Sequence, residues 1–270
     1  GVVTTTGATS ITTTTFTNNS TVNATGLTVN AGTLTLGSVN VGAGTITVNT
    51  GATPLDIGTL DAGALTAGAL SVTSGAMTTV SGLAFTGNMT LNSSGAITVT
   101  NAVSSTGSLS ATATGAITGT AGGIGGSSLT LNGSTVGTAG AGNELLLGTV
   151  GTLSGSVNGA AGTDVFNVKA GGALSIGTIT TGTTVGHAVT ITSTPAIGGG
   201  GTITASGPVS LVGNPIATAG SPLIVTGAGI TCNGNDCSAI DNEFVNASFS
   251  QLAQGVNDVL SGIQAALTSE

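Results

Sequence analysis

Residues 63–118 read GALTAGALSVTSGAMTTVSGLAFTGNMTLNSSGAITVTNAVSSTGSLSATATGAIT. The tetrad Gly-Ala-(Leu/Ile/Met)-(Thr/Ser) begins at Gly63, Gly68, Gly75, Gly95 and Gly115, and the last three starts are 20 residues apart. Self-similarity at such a period marks stacked repeats, each too small to bury its own apolar face. Within the period the residues alternate apolar and polar, which is the pattern of half-buried strands. The expected fold is all-β: a β-solenoid, or β-helix, of roughly 20-residue coils built from short strands and turns.

Composition agrees with a narrow core. The chain has 270 residues, 48 of them Gly; charged residues are 4% and aromatic residues 2%. A wide globular core needs bulky side chains, and five Phe with no Trp or Tyr cannot fill one. Ala, Val, Leu and Ile suffice for a solenoid. Low charge alone would suit a disordered chain, but disordered chains are poor in β-branched residues. This one is dense in Val, Ile and Thr, whose branched Cβ favours a pleated surface.

Charge excludes some functions. Net charge is −8, with one Lys (Lys169) and no Arg. Neutralising phosphates takes clustered Lys and Arg, so neither nucleic acid nor an anionic membrane is an expected partner. No run approaches the roughly 20 apolar residues that span a bilayer.

Outward from the repeats, residues 1–19 read as an N-terminal Thr-rich extended segment, 20–226 as the solenoid, 227–239 as a Cys loop and 240–270 as a C-terminal α-helix. The N-terminal segment carries Ile11 and Phe16 in an uncharged, strand-prone run. It forms either the first coil of its own solenoid or a strand added to a neighbouring subunit. Residues 121–144 are Gly-heavy and less periodic, and are expected to form an irregular loop or a break between two halves. Thr178-Ile179-Thr180, Thr190-Ile191-Thr192 and Thr202-Ile203-Thr204 recur every 12 residues.

From Ile240 the period changes. Phe244, Phe249, Leu252, Val256, Leu260 and Ile263 recur at three-to-five-residue steps, the spacing of a helical face. Ser238 followed by Asp241 resembles a capping box. Cys232 and Cys237 flank Asn233-Gly234-Asn235-Asp236, dense turn chemistry that brings the two together. A local disulfide is the preferred reading and implies an oxidising compartment; two free thiols are the alternative. A metal site lacks ligands, since two Cys and a distant His fall short of a structural set.

Chemistry-bearing groups are few. His187 is the sole histidine and reads as a surface or corner residue, with membership of a Ser-His-Asp site the sharper alternative. Nine Asp and Glu, one Lys and one His, spread along the chain, cannot readily bring ionisable groups together with shifted pKa values. No enzyme, cofactor, metal or small-molecule substrate is expected. Residues 159–164 resemble a single copy of a Gly-Asp calcium nonapeptide, which needs successive copies to bind. Asn-x-Ser/Thr triplets at Asn18, Asn19, Asn23, Asn88, Asn92, Asn132 and Asn246 arise readily by chance in such a composition. The Thr-x-Thr runs suggest an ice-binding array, but drift in their spacing argues against a regular face.

The Gly-Ala-Leu-Thr, Gly-Ala-Ile-Thr and Gly-Thr-Leu-Ser modules, with Val165-Phe166-Asn167-Val168 following Gly162-Thr163-Asp164, resemble the β-helical shafts of large bacterial surface adhesins of the filamentous-haemagglutinin type. The resemblance covers about residues 27–226 and rests on repeat style. It implies an extracellular or cell-surface structural protein. The Cys loop and helix lie outside the shaft pattern. The expectation is a secreted subunit that self-assembles end to end into a fibre of a matrix or biofilm, by continuation of the β-stack and exchange of terminal segments. Ile11, Phe16 and the apolar face of the C-terminal helix would form the joint. The partner would be further copies of the chain, with contacts to a cell surface or matrix. The alternative is a monomeric surface-binding module, either an adhesin or an ice-binding Thr array.

Overall fold

In Asn88–Ser93 the side chains of Met89, Leu91 and Ser93 point inward while Asn88, Thr90 and Asn92 face out. That alternation, repeated coil after coil, builds the molecule. A computed structural model describes residues 3–61, 65–79, 82–119, 121–183, 186–194, 196–217 and 222–233. Every strand pairing among them is parallel. Parallel neighbours joined by short turns can arise only if the chain winds back over itself, so the fold is a β-solenoid of about ten coils.

One column runs the length of the stack. Ile11, Val29, Val48, Val72, Leu91, Ala111, Leu131, Gly155, Ile179, Ile203 and Val225 lie on successive rungs. A second column begins at Leu55 and passes through Met77, Ile97, Ile117, Val136, Phe166, Val189 and Val209 to Ile230. Shorter runs complete the coils, such as Val3, Val22, Val39 and Leu65. Leu27, Val29, Ile46, Val48, Val72, Met77, Met89 and Leu91 are buried. Each fully buried aliphatic side chain contributes about 1.5–3 kcal/mol.

The tetrads are not all equivalent. Met77, Ile97 and Ile117, from the three tetrads spaced by 20, stack directly. Leu70, from the tetrad at Gly68, instead joins the strand of Met89 on the first face. Leu65, from the first tetrad, pairs with Val39 on yet another run. The motif is a generic corner-then-strand device, used on three sides of the coil. Its glycines also form a ladder: Gly95 N–H donates to the Gly75 carbonyl at 3.3 Å and Gly115 N–H to that of Gly95 at 2.9 Å.

Coil length varies, and one-residue register shifts between Ile124 and Gly126 and between Leu153 and Gly155 absorb part of the change. The length is 18 residues from Ile11 to Val29, 20 from Leu91 to Ala111 and 24 from Gly155 to Ile179. Extra residues are spent at corners, as in the 3-10 turn Ile57–Asp61 and the loop closed by Thr138 N–H donating to the Asn143 carbonyl. At one corner, Gly37 has φ +59°, and a Cβ there would run into the Asn18 carbonyl. Only glycine meets both demands.

Two expectations are settled here. Ala8–Thr17 pairs over its length with Gly26–Thr35 of the same chain, so the N-terminal segment enters its own first coil. The Gly-heavy 121–144 region does not break the stack, because Ile124–Gly133 carries the first column onward from Ala111 to Leu131 and Gly155. The expected helix over 240–267 lies outside the described residues.

Candidate functional site

Ile11 and Phe16 sit on Ala8–Thr17, half-buried and packed against the core. Among the described strands, Ala8–Thr17 is paired along one edge alone. At the other end, Ile224–Thr226 pairs with Thr202–Thr204 and Ile230–Cys232 with Val209–Val212. Ile224 is 63% exposed, the most exposed large apolar residue described. Cys232 is buried beside Leu211 and is disulfide-bonded. Cys237, Phe244, Phe249, Leu252, Val256, Leu260 and Ile263 lie outside the described residues.

His187 is not a surface residue. It is fully buried, and its Nε2 lies 2.8 Å from the Ala161 carbonyl. Nε2 carries the proton in that bond, and among the described residues the buried Nδ1 meets no partner. Asn167 is buried too: its amide nitrogen donates to the carbonyls of Thr138 at 2.6 Å and Gly140 at 3.3 Å, while its Oδ1 is unpartnered. Both residues brace corners from inside. Asp164 likewise closes its own turn, accepting the Ala161 amide at 3.0 Å. Among the described residues, no group of three or more His, Cys, Asp or Glu is placed to hold a metal ion. Asn18, one of the Asn-x-Ser triplets, is buried and holds Ser20 and Leu36 backbone groups.

A concavity of about 510 Å³ lies between residues 147–150 and 170–173 and is lined by Leu, Val, Ala, Gly and Thr. It offers no ionisable group.

The structure also assembles something that spacing concealed. Outward from the first column stand two rows of polar side chains. Across five consecutive coils one row reads Thr47, Ser71, Thr90, Ser110, Thr130 and the other Asn49, Thr73, Asn92, Thr112, Asn132. The rows extend to Ser10 and Thr12 on one side; on the other, the second continues through Ser156, Thr180 and Thr204 to Thr226, while the first reaches Ser154 at the register shift between Leu153 and Gly155. The 12-residue Thr period dissolves in the process. Thr178 stacks on Thr202, but Thr190 falls on a different strand, between Asn167 and Ser210. The 12-residue step is half a 24-residue coil. The signal that could have found the rows is the recurring polar-apolar-polar triplet, once each triplet is aligned on its central apolar residue rather than on sequence distance.

No protein-family model matches this chain, and no curated protein or solved structure matches it either.

Proposed function

We propose that the chain is a secreted structural subunit that assembles end to end into an extracellular fibre, as its likeness in repeat style to adhesin shafts suggests. The observation that carries this reading is the unbroken column from Ile11 to Val225, with both of its end strands paired on one side among the described residues. An unpaired parallel edge is a template for another strand. Ala8–Thr17 of one copy adds in parallel to Ile224–Thr226 of the next, so that Ile11 continues the column beyond Val225. Such a head-to-tail contact does not close on itself and therefore propagates. Residues 240–267 would brace the joint. The disulfide at Cys232 supports an oxidising, extracytoplasmic setting. Scattered ionisable groups and neutral concavities favour a structural over a catalytic role.

Electron microscopy of the purified protein tests the reading. Wild type is expected to form long fibres of uniform width. Ile11→Lys places a charge on the mating edge, a device that blunts strand addition, and should give discrete particles. Fibres of unchanged length and number from Ile11→Lys would exclude this joint.

A further inference from the structure

The two outward rows carry an inference independent of fibre formation. We propose that this face binds an ordered lattice of water, the surface of ice. Four observations converge on it. The face is regular: from the coil of Ile11 to that of Leu131, no bulge interrupts the pairing beneath the rows. Parallel pairing spaces the rungs about 4.8 Å apart, and two residues along a strand separate the rows by about 6.6 Å. The polar groups thus form a two-dimensional grid.

The grid is neutral. From Ser10 to Ser154 and from Thr12 to Thr226 neither row holds a charged residue. An ion orients water around itself, whereas a hydroxyl both donates and accepts and can replace one water in a lattice. In the first row, from Thr47 to Thr130, the hydroxyls are also available. Among the described residues, those of Thr47, Ser71, Thr90, Ser110 and Thr130 make no hydrogen bond within the protein. Inward serines behave differently: Ser93 and Ser193 are committed to backbone carbonyls. Finally, the grid is preorganised. Across the five coils from Thr47 to Asn132 each outward residue is flanked by buried neighbours, as Thr90 is by Met89 and Leu91, so little conformational freedom remains to be lost on binding. Many weak contacts on one rigid plane then act together.

From the coil of Ile11 to that of Leu131, variable coil length does not spoil this face, because the surplus residues leave the coil at corners; the register shift between Leu153 and Gly155 lies beyond that stretch. The absence of Trp and Tyr removes the stacking platforms that a polysaccharide surface would use.

The test is partition of the full chain into a slowly advancing ice front, with ice-grain growth in a frozen suspension as a second readout. Wild type is expected to enter the ice and to arrest grain growth. Thr90→Tyr and Thr47→Lys, tested separately, each disrupt the grid at an outward position and should be rejected with the liquid. Ser104→Tyr, exposed on a strand of a different run, should enter the ice as wild type does. Far-UV circular dichroism confirms that each variant is folded. The proposal is overturned if wild type is rejected like an inert protein. It is equally overturned if folded Thr90→Tyr and Thr47→Lys both partition as wild type, or if the face only promotes association between copies without uptake into ice.

Discussion

Ser93 shows how single residues hold this fold together. Its Oγ sits beside the Gly75 carbonyl of the preceding coil and 3.2 Å from the Ala96 carbonyl, and it accepts the Gly95 amide at 3.1 Å. One buried hydroxyl therefore stitches a corner to the coil before it. Ser105 and Ser193 do the same at other corners. Ser93→Ala leaves buried backbone groups short of a partner, which costs about 1–3 kcal/mol. The neighbouring Ser94 is exposed, and Ser94→Ala should stay within about 0.5 kcal/mol of wild type. Urea denaturation of the two variants checks this; equal losses would show that the inward hydroxyl has no special role. His187 and Asn167 belong to the same class of inward corner residue. Nothing in the local sequence marks them, because a corner polar residue turns in or out according to where the next coil places its carbonyls.

At the scale of the strand, what was legible follows from period. Asn88–Ser93 alternates in sequence and in burial alike, so its fold class, its parallel stacking and its apolar core could all be read in advance. Leu91 is fully buried, between Val72 and Ala111. Leu91→Ala should destabilise by about 2–5 kcal/mol, because a tightly stacked column cannot collapse to fill the space. Thr90→Ala, one residue away and facing solvent, should change stability by no more than about 0.5 kcal/mol. Thermal melts separate these outcomes, and a large loss from Thr90→Ala would mean that the outward rows, too, hold the fold. What was not legible was which copy of a motif stacks on which. The tetrads at Gly68 and Gly75 look alike but feed different faces, since a tetrad encodes a corner and a strand start without encoding which corner. The polar rows were hidden for a related reason. Rungs are matched by pairing, while sequence distance also counts whatever loops out at a corner. The candidate joint was only partly legible: the apolar, uncharged character of Ala8–Thr17 was plain, but its in-chain partner emerges only from the register with Gly26–Thr35.

The whole molecule is a one-dimensional stack in which each coil touches chiefly its neighbours, so its length should be adjustable in whole coils. Residues 77–117 offer the cleanest case. Met77, Ile97 and Ile117 stack at intervals of 20; so do Leu83 with Val103 and Met89 with Leu109. Three sides of the coil share one period. Removing residues 92–111 therefore joins Leu91 to Thr112, the residue that follows Ala111, which is Leu91's own rung partner. Each side chain keeps its side of the coil, and the upper and lower parts meet in register. We expect this protein to fold, to melt cooperatively and to be shorter by one rung, about 4.8 Å. Removing only residues 92–101 takes out half a coil. It keeps the in-out alternation but moves strands to the wrong side of the coil, setting Gly107 where Ile97 stacks on Met77 and Gly119 where Leu109 stacks on Met89, and should yield an aggregated or molten chain. Circular dichroism and small-angle scattering distinguish the two. If the half-coil deletion folded as well as the whole-coil deletion, register between coils would not be what specifies this structure.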